Sequence, residues 1–485
     1  MHPFTELASQ YIDGEWRPGS GSWDIIDINP YNGEKLCSIT VATRDEVDEA
    51  YRAAERAQRE WAATNPYTRR LVFERAVRLV EEREEEITEA IIAELGGTRL
   101  KAAFELHLAK EFLREATHLA LAPEGRILPS PVDGKENRVY RVPVGVVGVI
   151  SPFNFPFLLS LKSVAPALAL GNAVVLKPHQ DTPICGGGLV ARILADAGLP
   201  PGLLNVVVTD IAEIGDALIE HPVPKAISFT GSDKVGRHVA TVAAREFKHV
   251  VLELGGNSAL IVLDDADIDY AVDAAVFSRF VHQGQVCMAA NRILVDRSIA
   301  DEFTEKFVDK VRKLPVGDPA DPSTLIGPLI NSSQAERVSA AVDQALADGA
   351  TALLHGRVDG NLVHPSVLTD LPEGCAARNE EVFGPVALLI PFDGEEEALR
   401  IANDSLYGLS GAVHTGDVER GVAFARRVET GMMHVNDGTV ADEPIVPFGG
   451  EKHSGVGRLN GDHFVQAFTT TRWIAVQHGR STFPF

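Results

Sequence analysis

The stretch VGVVGVISPFNFPFLLSLKSVAPALALGNAVVLKP, residues 144–178, decides the fold. Residues 144–150 are apolar and β-branched, which is typical of a buried strand, and residues 172–178 form a second such run that ends at a proline. Between them, residues 163–171 have a helical composition and end at a glycine, a common stop signal for helices. The order strand, helix, strand predicts neighbouring strands of a parallel sheet.

The same alternation continues in two series along the chain. The first series extends to residues 249–256, and the second runs from residue 258 to residue 393. At roughly 100–200 residues per domain, 485 residues correspond to two or three domains. The sequence therefore predicts an α/β protein built on doubly wound parallel sheets. Residues 468–477 are strand-like and follow this pattern, so we expect them to pair with another strand, for which a sheet between subunits is one arrangement.

Composition and charge narrow the classes of function. Apolar residues make up 45% of the chain and charged residues 23%, as in folded soluble proteins. The net charge of −23 argues against nucleic acid and anionic membranes as partners. The four cysteines lack the spacing of a zinc site or a redox pair, so we expect no metal and a reducing compartment. With no signal-peptide pattern and no apolar run of ~20 residues, we expect a cytoplasmic protein.

Two side chains are suited to covalent catalysis. Cys287 lies in FSRFVHQGQVCMAANRILVD, residues 277–296, between a polar turn and an apolar stretch. Glu253 stands inside the apolar strand VVLELGG, where a carboxylate has to be paired, protonated or functional. A thiolate with a nearby carboxylate base fits nucleophilic catalysis. The alternatives are an inert, packed cysteine and a glutamate held in a structural ion pair.

Several residues with candidate binding roles follow predicted strands, and Lys177 stands at the carboxyl end of its strand, the edge where open α/β sheets bind ligands. Asn154 has an amide that could donate to an oxyanion, or it is an ordinary turn residue. Lys177 could hold a ribose hydroxyl or a phosphate, or it reaches solvent from the end of its strand. Gly231 and Ser232 lie between a strand and a helix, where backbone amides can bind phosphate, although an ordinary tight turn has the same pattern.

Together these motifs resemble those of the aldehyde dehydrogenase superfamily. The matching segments occur in the family's order and span nearly the whole chain: SPFNFP, GNAVVLKP, FTGS, LELGGNSALIV, GQVCMAANRILV, NEEVFGPV and PFGGEKHSGVGR. Within the family, SPFNFP, HQGQVCM and the ending TTTRWI are most similar to the benzaldehyde and vanillin dehydrogenase branch.

The resemblance implies a role for each matching residue. Cys287 is the nucleophile, and Glu253 activates the water that releases the product. Asn154 forms an oxyanion hole with the backbone amide of Cys287. The residues expected to bind the cofactor, NAD with NADP as a second candidate, are Lys177, Gln180, Gly231, Ser232, Glu381, Phe383, Ser151 and Pro152. The residues expected around the substrate are Phe155, Leu159, Lys162, Phe280 and Val286.

Three positions depart from the family pattern. Gln180 stands where many NAD-preferring members have glutamate; a neutral amide does not repel a 2′-phosphate, so we expect NAD with real tolerance for NADP. Leu459 replaces a second glutamate, which leaves Glu253 to act through water alone. Lys162 replaces an aromatic residue of many aliphatic-aldehyde enzymes. It either hydrogen-bonds a ring hydroxyl or points to a carboxylate, and we favour the carboxylate.

The implied activity is the NAD(P)-dependent oxidation of an aldehyde, of the aromatic type, to a carboxylic acid through a cysteine thioester. The alternatives are an aliphatic-aldehyde or semialdehyde dehydrogenase with the same mechanism, a coenzyme A-acylating relative, and an inactive structural relative. Coenzyme A-acylating members generally lack the glutamate present here as Glu253, so its presence favours hydrolysis.

The resemblance also implies a domain arrangement. Residues 1–122 and 143–255 form the nucleotide-binding domain, and residues 256–450 form the catalytic domain. Residues 123–142 and 451–485 form a small β oligomerisation element and the tail. A homodimer or a homotetramer follows from this arrangement.

Overall fold

The structure is a computed structural model that describes residues 4–485. Its helices are α1 (Arg44–Ala63), α2 (Pro66–Glu82), α3 (Glu84–Leu95), α4 (Arg99–Leu119), α5 (Pro156–Ala169), α6 (Leu189–Asp196), α7 (Ile211–Ile214), α8 (Ala217–Glu220), α9 (Asp233–Arg245), α10 (Ile268–Phe280), α11 (Ala300–Arg312), α12 (Ser332–Ala347), α13 (Ala376–Asn379), α14 (Glu395–Asn403), α15 (Val418–Ala425) and α16 (Asp462–Phe468).

The strands in chain order are β1 (Gln10–Ile12), β2 (Glu15–Arg17), β3 (Asp24–Ile28), β4 (Lys35–Thr40), β5 (Arg126–Leu128), β6 (Lys135–Pro143), β7 (Val146–Ile150), β8 (Ala173–Lys177), β9 (Leu204–Val206), β10 (Ala226–Thr230), β11 (His249–Glu253), β12 (Ala259–Val262), β13 (Arg292–Asp296), β14 (Thr351–Leu354), β15 (Val358–Asp359), β16 (Leu362–Val363), β17 (Ser366–Thr369), β18 (Val386–Phe392), β19 (Tyr407–Gly408), β20 (Gly411–His414), β21 (His434–Val435), β22 (Glu451–Lys452), β23 (Gly455–Val456) and β24 (Thr469–Gln477).

Two large sheets confirm the predicted α/β class. The first has the order β2-β1-β9-β8-β7-β10-β11-β23, and its five central strands, from β9 to β11, run parallel. The second has the order β14-β17-β18-β13-β12-β20-β21 and is parallel except at β14. In each sheet the central strands are buried along nearly their whole length, as expected when helices cover both faces.

The helix between β7 and β8 begins earlier than the sequence predicts. It starts at Pro156 rather than at residue 163. Proline at the first helical position has a fixed φ that suits a helix start. The backbone amides of Phe157 and Leu158 donate to the carboxylate of Glu105, at 3.0 and 3.1 Å. Since Glu105 belongs to α4, this helix start is satisfied by a residue that is distant in sequence.

The C-terminal strand β24 pairs within its own chain. It runs antiparallel to β6 over nine residue pairs, and β5 completes a three-stranded sheet. Strand β23 adds to the first large sheet beside β11, and α16 packs against α5. The chain after residue 450 therefore contributes to the first large sheet and its helices before it enters the small sheet. Within residues 4–485, no helix is long and apolar enough to cross a membrane.

Candidate active site

Cys287 follows a loop with an unusual backbone between α10 and β13. His282, Gln283 and Gly284 have φ angles of 51°, 56° and 73°, which is the left-handed region. A Cβ at Gly284 would lie 2.4 Å from the carbonyl oxygen of Gly384, so only glycine fits this close approach. Cys287, which follows this tight loop, lines a cavity.

Glu253 is the last residue of β11, and its side chain is buried. Among residues 4–485, neither of its carboxylate oxygens has a hydrogen-bond partner. Burial raises the pKa of Glu253 to about 8, whereas the positive charges of Lys162 and Arg458 oppose this rise. A buried carboxylate with this pKa and open acceptor sites is suited to removing a proton from water.

The glycine pair after Glu253 brings β11 against the cysteine loop. A Cβ at Gly256 would lie 2.3 Å from the carbonyl oxygen of Cys287, so the two backbones meet at a distance that a side chain would prevent. Burial raises the pKa of the Cys287 thiol to about 12, and the carboxylates of Glu381 and Glu253 raise it further. These effects favour the thiol over the thiolate in the free protein, and a positive charge nearby would favour ionisation.

Asn154 is held from the other side of the site. It follows β7, it is buried, and its side-chain amide donates to the carbonyl oxygen of Gln285 at 3.0 Å. The side chain of Gln285 is in turn fixed by the backbone amide of Ile330, at 3.1 Å. Because an amide NH₂ has two donors, the bond to Gln285 orients the group and leaves a second N–H for a ligand.

A cavity of about 610 Å³ joins these groups at the carboxyl ends of β7, β8, β10 and β11. This is the edge where ligands bind in open α/β sheets. The predicted catalytic and cofactor residues all line it: Cys287, Glu253, Asn154, Ser151, Pro152, Lys177, Gln180, Gly231, Ser232, Glu381 and Phe383.

The cavity wall has features that fit a dinucleotide. Ser232 caps α9 through the backbone amide of Val235, so the positive end of a 13-residue helix opens into the cavity. Elsewhere in the cavity lining, Glu381 accepts a hydrogen bond from the backbone amide of Gly256 at 3.0 Å, and burial raises its pKa to about 7. Phe383 packs edge-on against Phe153, with ring centroids 5.8 Å apart.

Of the residues expected around the substrate, Leu159 lines the cavity and the other four lie outside its lining. Phe280 packs against Phe307 in the core of the second sheet, and the ring of Phe155 lies against His282. Val286 is buried in the core of the first sheet. Lys162 points to a carboxylate, the alternative that we favoured, since its Nζ lies 2.6 Å from Asp442 Oδ2.

The sequence reasoning missed the residues that hold the site together. Arg279 is fully buried and donates to the carbonyl oxygens of Val382 and Gly384, on either side of Phe383. An arginine inside the otherwise apolar segment before Cys287 was a signal that could have found it. Gln285 and Asp442 carry no comparable signal, because their partners come from distant segments. Within residues 4–485, no cluster of side chains is suited to a metal ion.

Known proteins resemble this chain in both sequence and structure. The family model described as "Aldehyde dehydrogenase family" matches residues 16–474. The chain belongs to the aldehyde dehydrogenase family. This confirms the resemblance and makes the protein an oxidoreductase that acts on aldehydes.

Among its relatives, this aldehyde dehydrogenase is 58% identical to a benzaldehyde dehydrogenase of Bacillus subtilis, over the full length of both chains. It is 48% identical to a vanillin dehydrogenase of Corynebacterium glutamicum, covering 97% of this chain and 98% of that one. A solved structure of an NAD-dependent benzaldehyde dehydrogenase from Corynebacterium glutamicum is 44% identical and superposes with a TM-score of 0.91, over 98% of this chain and 100% of the other.

Proposed function

We propose that this aldehyde dehydrogenase oxidises aromatic aldehydes to carboxylic acids with NAD as the hydride acceptor. The observation that carries the proposal is the convergence of Cys287, Glu253 and Asn154 on one cavity that is large enough for a dinucleotide. The names of the similar proteins support the substrate class, since they are benzaldehyde and vanillin dehydrogenases. A structurally similar betaine aldehyde dehydrogenase from Staphylococcus aureus is described in complex with NAD⁺.

The residues present fit NAD. Lys177 and Gln180 would hold the adenosine ribose, and Gly231 with Ser232 would lie against the pyrophosphate at the start of α9. Glu381 and Phe383 would contact the nicotinamide ribose and the ring region. Bound there, NAD supplies the acceptor for a hydride and a positive charge near Cys287.

The chain's own groups account for the remaining chemistry. The Cys287 thiol gives up its proton to solvent, and the thiolate adds to the aldehyde carbon. The oxyanion that forms accepts hydrogen bonds from the Asn154 side chain and the Cys287 amide. When the hydrogen on that carbon leaves as hydride with both electrons of its bond, the oxyanion becomes a carbonyl again and a thioester on Cys287 remains. Glu253 then takes a proton from water, whose oxygen attacks the thioester carbon. The carboxylic acid leaves, the cysteine sulfur is free again, and Glu253 returns its proton to solvent.

We also propose that the protein is a cytoplasmic homo-oligomer, a dimer or a tetramer. We propose that its domains have the bounds predicted from the sequence, except that β23 and α16 belong with the nucleotide-binding domain rather than with the oligomerisation element. The three-stranded sheet supports an interface, because it exposes the large apolar side chains of Ile127, Trp473 and Ile474. Sedimentation of the purified protein tests the assembly. We expect a dimer or larger that a paired Ile127→Asp and Trp473→Asp variant dissociates, and a monomeric wild type would contradict it.

The test of function is the formation of NADH, followed at 340 nm, with benzaldehyde, vanillin and acetaldehyde. We expect turnover that requires Cys287, so that a Cys287→Ala variant is inactive, and a higher kcat/KM for the two aromatic aldehydes. Faster turnover of acetaldehyde would favour an aliphatic-aldehyde enzyme with the same mechanism. Absence of turnover with any aldehyde would contradict the proposal.

A further inference from the structure

Asp210 lies beside the residues expected to bind the adenosine ribose. Strands β8 and β9 are parallel neighbours, with Leu176 paired to Val206, and the amide of Val207 donates to the carbonyl oxygen of Leu176 at 2.9 Å. The segments that follow the two strands therefore leave the sheet side by side. Lys177 and Gln180 lie on the first segment, Asp210 lies on the second, and all three line the cavity.

The position of the Asp210 carboxylate is fixed by the backbone. Its Oδ1 accepts a hydrogen bond from the amide of Ala212 at 2.7 Å and so caps the short helix α7. Because a single oxygen makes this bond, the other oxygen keeps its capacity to accept from a ligand. The carboxylate of this lining residue is thus held by a local bond that does not depend on a ligand.

The charge of Asp210 acts on the cofactor-binding lysine. Burial lowers the pKa of the Lys177 amine, and among the carboxylates that oppose this effect Asp210 acts more strongly than Asp181. Within residues 4–485, no carboxylate forms an ion pair with Lys177, whose amine donates to the carbonyl oxygen of Pro178 at 3.4 Å. Asp210 and Lys177 thus line one cavity from the segments after two paired strands, and they form no ion pair with each other.

A carboxylate at this place distinguishes the two nicotinamide cofactors. The hydroxyls of the adenosine ribose in NAD can donate to it, whereas the 2′-phosphate of NADP carries about two negative charges, which it repels. Gln180 stands where many NAD-preferring members have glutamate, but its neutral amide cannot repel a 2′-phosphate. The tolerance for NADP was expected from Gln180 alone, without the charge of Asp210.

We propose that Asp210 is the specificity-determining residue that selects NAD over NADP in this chain, in place of a carboxylate at position 180. The proposal rests on the proposed function, in which this cavity binds NAD. It places the source of selectivity on the segment after β9, although the residues that hold the ribose lie after β8.

Binding of cofactors and their adenosine fragments tests this without turnover. Calorimetry on the full-length enzyme would compare NAD with NADP, and 5′-AMP with adenosine 2′,5′-bisphosphate. The variant is Asp210→Asn, which keeps the capping oxygen and removes the charge. The matched control is Glu213→Gln, which removes one charge from α7 at a side chain that bonds Trp23 and lies outside the cavity lining.

We expect Asp210→Asn to tighten binding of NADP and of the bisphosphate by about 10- to 100-fold, as removal of a nearby like charge predicts. Binding of NAD and 5′-AMP should change by less than about threefold, and Glu213→Gln should leave all four affinities unchanged. An unaltered NADP-to-NAD ratio in Asp210→Asn, or an equal shift in Glu213→Gln, would overturn the inference. A wild type that binds neither NAD nor 5′-AMP would instead overturn the proposed function.

Discussion

The ammonium of Lys162 lies 2.6 Å from Asp442 Oδ2 and 3.4 Å from the centroid of the Phe448 ring. The two charged side chains are 2% and 5% exposed, so the pair is buried. Asn460 donates to the other oxygen of Asp442 at 2.8 Å. The pair thus ties helix α5, which begins just after Asn154, to the segment that carries Phe448.

A Cβ at the next residue, Gly449, would lie 2.9 Å from Glu253 Oε1. The segment that this buried ion pair fixes therefore contacts the proposed general base, Glu253.

The two charges of this pair should shift the titration of Glu253 in opposite directions. Lys162 lowers the pKa of Glu253 and Asp442 raises it, against the larger rise caused by burial. We expect Lys162→Met to move the acid limb of acyl-enzyme hydrolysis to higher pH by about 0.5–1 unit, and Asp442→Asn to move it to lower pH by a similar amount. The steady rate that follows the burst of ester cleavage, recorded from pH 5 to 10, measures acyl-enzyme hydrolysis.

The double variant is the control for these shifts. Each single variant leaves one buried charge without its partner, which typically costs about 3–5 kcal/mol of stability. In Lys162→Met/Asp442→Asn both charges are absent, so the acid limb of the pH profile should return close to its wild-type position. If both single variants move the limb in the same direction, the effect reflects altered packing, and the electrostatic account is wrong.

Glu253 should make the stability of the protein depend on pH. Its pKa is about 8 in the folded protein and about 4.3 in an unfolded chain, so the folded state holds the proton more tightly. Its contribution to stability is therefore fully present below pH ~4 and is lost as the pH rises to ~8. Glu253→Gln, which cannot ionise, should melt near the wild-type temperature at pH 5 and several degrees above it at pH 8.5. A melting difference that does not change with pH would contradict the buried, unpaired state of this carboxylate.

Loss of the Asn154 amide should slow the chemical step and spare the thiol. Removal of one oxyanion donor typically costs about 3–4 kcal/mol in the barrier, so we expect Asn154→Ala to lower kcat by about 10²- to 10³-fold. Single-turnover formation of NADH measures the step. Alkylation of Cys287 by iodoacetamide is the control, and its rate should change by less than about threefold. A variant that loses the alkylation rate in parallel has a disturbed cysteine loop, and the oxyanion role would not be supported.

The parts of this protein that sequence predicted are those determined by local pattern. The strands on either side of α5 are continuous apolar runs, and their burial in a parallel sheet follows from composition alone. The start of α5 was misplaced because Glu105, on another helix, supplies the acceptor for its first amides. Phe280 has an aromatic side chain suited to a substrate contact, but its ring packs against Phe307 in the core. Asp210 was missed because its relation to Lys177 arises from the pairing of β8 with β9.

Arg279 should govern the affinity for NAD although it lies outside the cavity lining. It is fully buried and donates to Val382 O at 2.8 Å and to Gly384 O, so it holds the segment that carries Glu381 and Phe383. Lysine offers one ammonium in place of a planar fork and cannot make the same set of bonds. We therefore expect Arg279→Lys to raise the KM for NAD by about 10-fold or more, because an incorrectly held segment weakens binding by at least ~1.4 kcal/mol. The kcat at saturating NAD should fall much less. Hydrolysis of an activated ester without NAD is the control and should stay within about twofold of the wild type, whereas equal losses in both reactions would mean that Arg279 supports the cysteine loop as a whole.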